Sequence, residues 1–287
     1  MGRPEIVGGR YRVVRELAVG GMGTIYEVEH TGTRDRFALK MMTVGEDDPQ
    51  LLTRFRREAS AAGKIVSDHV VRVYEVDTAD NLGGRLFIVM ELLDGADLAQ
   101  ILASRGPLPF GEALSCLQQV AHAVESAHSV GIVHRDLKPQ NLFMHRRGDG
   151  TSVVKLLDFG VARMLDPDAT DITDASAPVG TPRYMAPEQL SLGGRGIGPA
   201  TDVWALGLVA IELLTAESYW RAQLPSAVME EIQRGAGYLP SARWSFLPRR
   251  MDTWFLRSCA LEPRDRWRSV REQIDALTPI LEQAARR

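Results

Sequence analysis

The residues best suited to chemistry lie in residues 134–141, which read His-Arg-Asp-Leu-Lys-Pro-Gln-Asn and are followed by Asp-Phe-Gly at 158–160. Asp136 can orient or deprotonate a hydroxyl, and Lys138 can neutralise a phosphate in transfer. Asn141 and the Asp of the tripeptide carry the oxygen ligands that magnesium prefers. A solvated polar loop would also carry charges, but eight positions in the order of a known catalytic-loop signature favour phosphoryl transfer.

A second group of residues near the N-terminus could hold phosphates. Residues 17–26, Leu-Ala-Val-Gly-Gly-Met-Gly-Thr-Ile-Tyr, lie between two β-type runs. Glycines let a backbone fold closely over phosphates, although a glycine-rich hairpin turn has the same pattern. Lys40 lies in an apolar strand-like run, and Glu58 lies on the apolar stripe of a helix. Each charge is costly when buried alone, so we predict that they form an ion pair and that Lys40 contacts the α- and β-phosphates.

The pattern of elements divides the chain into a strand-rich first part and a helical second part. β-type runs cover residues 11–17, 24–29, 36–42, 70–76 and 85–91, and one helix interrupts them between Leu51 and Ile65. Helical periodicity covers residues 112–130, 202–215, 226–234, 251–260 and 270–284. Between the first two helices lie the β-type pairs 141–144 and 153–157 and an irregular segment, 161–179. This order predicts an α+β fold in one domain of two lobes.

Composition excludes several classes of protein. The 287 residues carry 34 basic and 37 acidic side chains. The two signs are interspersed along the chain, so the sequence predicts no charged surface for nucleic acid or a membrane. Cys116 and Cys259 have no paired spacing and read as reduced core thiols, and the histidines have no metal-ligand spacing. No apolar run is long enough to cross a bilayer, and the N-terminus has no signal-peptide core. We therefore expect a cytoplasmic protein.

Taken together, these motifs make the chain resemble a eukaryotic-type serine/threonine protein kinase. Gly-Gly-Met-Gly at 20–23, Phe-Arg-Arg-Glu at 55–58, the loop at 134–141 and Tyr-Met-Ala-Pro-Glu at 184–188 are most similar to the bacterial branch. The resemblance implies a bilobal kinase domain, with ATP and Mg²⁺ as cofactors and Mn²⁺ as a substitute. The expected parts are a tail at 1–10, an antiparallel N-lobe at 11–91 with one key helix, a hinge at 91–94, a mainly helical C-lobe at 95–281 and a tail at 282–287.

The resemblance also implies the roles of the catalytic residues. Asp136 would be the catalytic base, Lys138 would steady the γ-phosphate, and Asn141 and Asp158 would ligate magnesium. Thr181 would bond the catalytic aspartate and lysine, and its presence beside Lys138 favours serine and threonine as acceptors.

The nucleotide-binding residues follow from the same resemblance. The implied set is Leu17, Ala18, Val19, Gly20, Gly21, Met22, Gly23, Thr24, Ile25, Ala38, Lys40, Glu91, Leu93 and Asp97. Backbone groups of Glu91 and Leu93 would bond adenine, Met90 would be the gatekeeper, and Asp97 would contact ribose. Ala18 stands where the family has its first glycine, so we expect reduced nucleotide affinity at most.

Several further residues are expected to support the loop. The resemblance places His134 under Phe159, lets Asp202 brace the loop backbone, and pairs Glu188 with Arg266. Tyr219 and Trp220 depart from the family pattern. They could form a docking patch, but local packing is the favoured interpretation.

The sequence also suggests how the activity could be regulated. Arg135 precedes the catalytic aspartate, where the family often receives a phosphorylated residue, and Thr170, Thr173 and Ser176 are the candidate acceptors. We hypothesise activation by phosphorylation of this segment, including Thr173, in trans within a transient homodimer.

Two alternatives stay open beside a kinase that acts on protein substrates. One is an ATP-binding pseudokinase or scaffold, and the other is a kinase-like small-molecule phosphotransferase. The sequence also leaves open the substrate, the activating signal, and whether the chain is a whole enzyme or part of a membrane receptor kinase.

Overall fold

The structure, a computed structural model, describes residues 5–20, 23–43, 65–158, 182–191 and 196–286. These residues fall into two compact units. The first contains the described residues up to 66 and Val70–Asp94, and the second contains Ser67–His69, residues 95–158 and the described residues from 182 onward. The first unit is a sheet and the second is mainly helical, so the predicted α+β bilobal kinase fold is confirmed.

An antiparallel sheet of six strands makes up the first unit, in the order β1-β2-β3-β4-β6-β5. The strands are β1 Ile6–Val7, β2 Tyr11–Gly20, β3 Gly23–His30, β4 Arg36–Met42, β5 Val73–Ala79 and β6 Arg85–Met90. Alternating apolar residues such as Val28, Leu39 and Phe87 bury one face as a core. β4 has the predicted bounds. The helix predicted between residues 51 and 65 lies outside the described residues.

Two strand predictions differ from the structure. The run predicted at 70–76 forms a continuous strand only from Val73, and Val70, which is buried together with Val71, makes an isolated bridge before it. β1 lies inside the predicted N-terminal tail, where Val7 pairs with Tyr11 and is fully buried. A strand of two residues has too short a pattern to be visible in a sequence.

The second unit combines a small sheet with helices. Its strands are β7 Gly95–Asp97, β8 Leu142–Arg146 and β9 Ser152–Leu156. Its helices are α1 Leu98–Arg105, α2 Phe110–Ser129, α3 Pro199–Thr215, α4 Pro225–Arg234, α5 Pro240–Arg243, α6 Arg250–Ser258 and α7 Val270–Ala285. The five predicted helices are present near their expected bounds. β7, α1 and α5 were not predicted, because each is too short to show a clear period.

Helix α3 is the centre of the second unit's core. From Thr201 to Thr215 every residue except Glu212 is buried, so the helix predicted at 202–215 is apolar because it is enclosed on all sides. Tyr219 and Trp220, just after the helix, are 2% and 3% exposed, so the local-packing interpretation is confirmed. In the part of the chain that the structure describes, no helix is both long and apolar enough to cross a membrane.

The end of α3 stores backbone strain. Ala216 caps the helix with φ 54°, in the left-handed region that glycine adopts most easily. Ala216→Gly should therefore raise the free energy of unfolding by about 1 kcal/mol, measured by urea denaturation. Ala103→Gly, on exposed helix α1, is the matched control and should lower stability. Equal losses in both variants would contradict the strain argument.

Candidate active site

Asp136, Lys138 and Asn141 converge in the loop that leads into β8. Lys138 Nζ lies 2.7 Å from Asp136 Oδ2, and Asn141 Nδ2 donates to the same oxygen at 3.0 Å and to the Asp136 carbonyl at 2.7 Å. Both side-chain contacts use Oδ2, and no described residue donates to Oδ1. Oδ1 is therefore the carboxylate oxygen suited to accept a proton from a bound hydroxyl.

The orientation of Asn141 suits a cation site. Its amide nitrogen donates to two Asp136 oxygens, which assigns Oδ1 as the oxygen left to bind a cation. The Leu157 N–H donates to the Asn141 carbonyl at 2.9 Å, so the residue before Asp158 is held against the loop. A carboxamide oxygen and a carboxylate are hard ligands that fit Mg²⁺. Within the described ranges no group of three His, Cys, Asp or Glu side chains could hold a metal.

His134 ties the two segments together and is fully buried. Its Nε2 lies 2.8 Å from the Leu157 carbonyl, which can only accept, and its Nδ1 faces the Asp136 N–H at 3.3 Å, which can only donate. These two contacts suit the tautomer in which Nε2 donates and Nδ1 accepts. This agrees with the predicted structural role, although Phe159, the expected packing partner, lies outside the described residues.

Asp202 braces the loop backbone, as predicted. Its carboxylate is fully buried and accepts the N–H groups of His134 and Arg135, both at 2.8 Å. Arg135 has φ 68°, a strained conformation for a residue with a side chain, and the hydrogen bond to Asp202 offsets that strain.

His128, near the end of α2, was missed by the sequence reasoning. Its Nε2 lies 2.7 Å from Asp202 Oδ2, so the Asp202 carboxylate has a third hydrogen-bond partner besides the two backbone N–H groups. The sequence offered no strong indication of this contact, because a histidine at a helix end has many ordinary uses.

A buried ion pair anchors the segment expected to dock substrate. Arg266 Nη1 and Nη2 lie 2.8 Å from Glu188 Oε1 and Oε2, and both side chains are buried, as predicted. Burial alone would raise the pKa of Glu188, but the hydrogen bonds and charge of Arg266 and the Thr201 hydroxyl outweigh it and hold the pKa below its usual value. Gln189 Nε2 then donates to the Arg135 carbonyl at 2.9 Å, which joins this segment to the catalytic loop.

The described residues of the first unit that are predicted to bind nucleotide lie in strands β2, β3 and β4 and in the segment after β6. Lys40 is buried at 6% exposure in the middle of β4, opposite Ile25 of β3 and Ile88 of β6. Leu17, Ala18, Val19 and Gly20 end β2, and Thr24 and Ile25 begin β3. Val19 is 71% exposed, which leaves an apolar side chain without a packing partner in the unit's core.

Gly23 is required by the sheet itself. A Cβ at Gly23 would lie 2.0 Å from the Met41 carbonyl oxygen of β4, so no other residue fits there. The contact within the sheet therefore explains why residue 23 is a glycine, without reference to a bound nucleotide. Ala18 is not among the residues with positive φ, and it pairs in the sheet opposite Ile25, so alanine fits that strand position.

Hydrogen bonds within the protein determine which atoms of Glu91 and Asp97 could contact adenine and ribose. The Glu91 N–H donates to the Arg72 carbonyl at 2.9 Å, so an adenine contact of Glu91 would use its carbonyl oxygen. Asp97 Oδ1 accepts the Gln100 N–H at 2.9 Å and caps α1, so a ribose contact would use Oδ2. Both assignments stay predictions.

Some predicted site residues lie outside the described residues. They are Gly21, Met22, Glu58, Thr170, Thr173, Ser176 and Thr181. The Lys40–Glu58 ion pair and the hydrogen bonds of Thr181 therefore stay predictions.

The sheet, the helical unit and the loop that joins Asp136 to Lys138 and Asn141 define a protein-kinase catalytic domain. The chain matches the protein kinase domain family over residues 11–271 and belongs to that family.

Several bacterial kinases are similar to the chain. It is 37% identical over 279 residues to the serine/threonine-protein kinase Pkn1 of Myxococcus xanthus, covering 97% of this chain and 39% of that protein. It is 35% identical over 263 residues to PknH of Mycobacterium tuberculosis, covering 91% and 40%. The crystal structure of the M. tuberculosis PknI kinase domain superposes with a TM-score of 0.74 at 30% identity, covering 97% of this chain and 99% of that one. The chain thus spans about two fifths of the length of these curated relatives.

Proposed function

We propose that the chain is an ATP-dependent protein kinase that transfers the γ-phosphoryl group of ATP, with Mg²⁺, to serine and threonine hydroxyls of proteins. The observation that carries the proposal is the Asp136 carboxylate, whose Oδ2 is held by Lys138 and Asn141 while no described residue donates to Oδ1. Relatives named as serine/threonine-protein kinases support it.

The chemistry follows from these positions. The acceptor hydroxyl donates its hydrogen bond to Asp136 Oδ1 and passes its proton there as the new P–O bond forms, while the bond from the γ-phosphorus to the β–γ bridging oxygen breaks and ADP leaves. Lys138 lies beside the same carboxylate, so its ammonium group can neutralise the γ-phosphoryl oxygens while they transfer. Bound Mg²⁺ supplies further charge neutralisation of the phosphates, and Asn141 and Asp158 are the residues that would hold it. Lys40 would contact the α- and β-phosphates.

The alternatives fit less well. A pseudokinase or scaffold would be expected to have lost part of the catalytic set, whereas Asp136, Lys138 and Asn141 are present and in contact. A small-molecule phosphotransferase would be expected to lack the Ala-Pro-Glu element, whereas here its Glu188 forms the buried ion pair with Arg266.

Regulation by phosphorylation is part of the proposal. The Arg135 side chain is exposed and forms no ion pair with a described residue, so it can receive a phosphate. Thr170, Thr173 and Ser176 are the proposed acceptors, and a transient homodimer would allow transfer in trans.

The test is phosphate transfer followed by a phosphosite map. Purified chain is incubated with γ-labelled ATP, Mg²⁺ and both a generic basic and a generic acidic protein, with EDTA as the control. We expect label on serine and threonine of added protein and on residues between 166 and 178, and no label with EDTA. ATP binding without any transfer would point to the scaffold, and transfer without label in that segment would reject the regulatory part.

A further inference from the structure

A cavity of about 570 Å³ lies within the second unit beside the turn Pro182–Tyr184. Its lining includes three arginines against one glutamate, together with an indole and a carboxamide. These residues are Arg183, Arg221, Arg243, Glu217, Trp220 and Gln223. A cavity of this size and charge is suited to an anionic group.

One of the three arginines is fully used by the protein. Arg243 forms an ion pair with Glu217 at 2.8 Å. It also donates hydrogen bonds to the carbonyls of Ser218 and Tyr219 and to the Tyr238 hydroxyl. It also lies 4.3 Å from the Trp244 ring. Arg243 and Glu217 therefore neutralise each other and hold the wall of the cavity.

The other two arginines have no carboxylate partner among the described residues. Arg183 Nη2 donates to the neutral Gln223 Oε1 at 3.1 Å. The guanidinium of Arg221 lies 4.7 Å from the centre of the Tyr238 ring, and its side chain is exposed. Two guanidinium groups therefore line one cavity with their charge uncompensated by an ion pair in the described chain.

The nearby carboxylates are engaged elsewhere. Glu212 accepts the hydroxyl hydrogen bond of Tyr184, and burial raises the pKa of Glu212 against that hydrogen bond and the more distant charge of Arg183. Glu231 accepts the backbone N–H groups of Arg221 and Ala222 at 3.0 and 3.3 Å. Neither forms an ion pair with Arg183 or Arg221.

The cavity lies close to the proposed transfer chemistry. Trp220 Nε1 donates to the Arg183 carbonyl at 2.7 Å and fixes this residue at the cavity wall. The segment that carries Arg183 also contacts the catalytic loop directly, because Gln189 Nε2 donates to the carbonyl of Arg135, the residue before Asp136, at 2.9 Å. A peptide with its hydroxyl at Asp136 could thus place a neighbouring side chain in the cavity.

We propose that the cavity binds an acidic or phosphorylated side chain of the protein substrate through Arg183 and Arg221, and so selects acceptor hydroxyls with anionic neighbours. This inference rests on the proposed kinase function and names its substrate class. Guanidinium groups match carboxylate and phosphate oxygens in charge and in geometry.

The chain contains a segment with the required character. Residues 166–176 read Asp-Pro-Asp-Ala-Thr-Asp-Ile-Thr-Asp-Ala-Ser, with four aspartates and no lysine or arginine around Thr170 and Thr173. The same selectivity would let one copy of the chain phosphorylate this segment of a second copy.

The experiment compares three peptides of residues 166–178: the natural one, one with all four aspartates changed to asparagine, and one with phosphoserine at positions 168 and 171. Each is tested with the wild-type chain, the Arg183→Gln/Arg221→Gln double variant and the control Arg268→Gln, an exposed arginine of the same unit. The readouts are the ratio of kcat/KM between charged and neutral peptides, and peptide binding by fluorescence anisotropy at low and high salt.

For the wild type and the control we expect the natural peptide to exceed the asparagine peptide about tenfold in kcat/KM and in affinity, with the difference shrinking at high salt. In the double variant both ratios should approach one. Tighter binding of the phosphoserine peptide assigns the cavity to phosphorylated substrates and the reverse order assigns it to carboxylates, and both orders support the proposal.

Equal use of the charged and neutral peptides by the wild type, or unchanged ratios in the double variant, would overturn it. Failure of the kinase proposal would look different. In that case no peptide or protein is phosphorylated, while anisotropy still decides whether the arginines bind the anionic peptide.

Discussion

Replacing Asp136 with asparagine is expected to lower kcat for phosphate transfer about a thousandfold. Asparagine has nearly the same shape, but it cannot take the proton of the acceptor hydroxyl. Its amide oxygen can keep the contacts that Lys138 and Asn141 make with Oδ2, and this places an NH2 donor where Oδ1 would accept the proton. The affinity for ATP should change far less, because no nucleotide contact is assigned to Asp136.

The measurement is initial-rate transfer to protein, beside ATP affinity from fluorescence titration. Asp275→Asn is the matched control, since Asp275 is an exposed aspartate on α7 of the same unit. It should keep wild-type kcat. If Asp136→Asn retained a tenth or more of the activity, Asp136 would not be the proton acceptor, and the proposed chemistry would have to be reassigned.

Local spacing explains why the centre of the site could be predicted. Asp136, Lys138 and Asn141 lie within six residues, so the loop's own turn at Pro139–Asn141 brings them into contact. Longer-range partners were predicted only through the family resemblance. Asp202 reaches the loop from 68 residues further along the chain than His134, and no local pattern encodes that contact.

What could not be predicted depends on tertiary contacts between chemically ordinary residues. His128 looks like any helix-end histidine until it meets Asp202. Gly23 was interpreted through the nucleotide, yet the Met41 carbonyl on the neighbouring strand already demands a glycine there. The arginine-lined cavity draws on separate segments, the turn at Arg183, the chain around Arg221 and helix α5, which only the fold brings together.

Replacing Arg266 with methionine is expected to lower the free energy of unfolding by about 3–5 kcal/mol at pH 7. Arg266 makes five hydrogen bonds, two to Glu188 and the others to the carbonyls of Ala200, Ala260 and Leu261. Methionine keeps the apolar stem of arginine but lacks its guanidinium group. The loss therefore comes chiefly from leaving Glu188 charged and buried and three carbonyls without this donor, with a smaller part from the space that the guanidinium group filled.

Urea denaturation at pH 7 measures the effect, with Arg234→Met as the control. Arg234 forms an exposed pair with Glu230 on α4, so its loss should cost about 0.5 kcal/mol or less. A double variant, Glu188→Gln/Arg266→Met, should lose less than the sum of the two single variants, because no buried charge then remains without a partner.

The pH dependence separates a buried-charge effect from a packing effect. In the wild type the folded-state pKa of Glu188 is lowered, so its stabilisation is present above the unfolded-state value and disappears as the pH falls through the folded-state value. In Arg266→Met the hydrogen bonds and charge of Arg266 are lost, and burial, which is the largest effect on Glu188, is opposed only by the Thr201 hydroxyl and a backbone N–H. The folded-state pKa of Glu188 should therefore lie above its usual value. Protonation then relieves the buried charge, and the stability difference between variant and wild type should narrow as the pH is lowered from 7 to 5. A difference that stays constant over this range would mean that lost packing, and not the unpaired carboxylate, destabilises the variant.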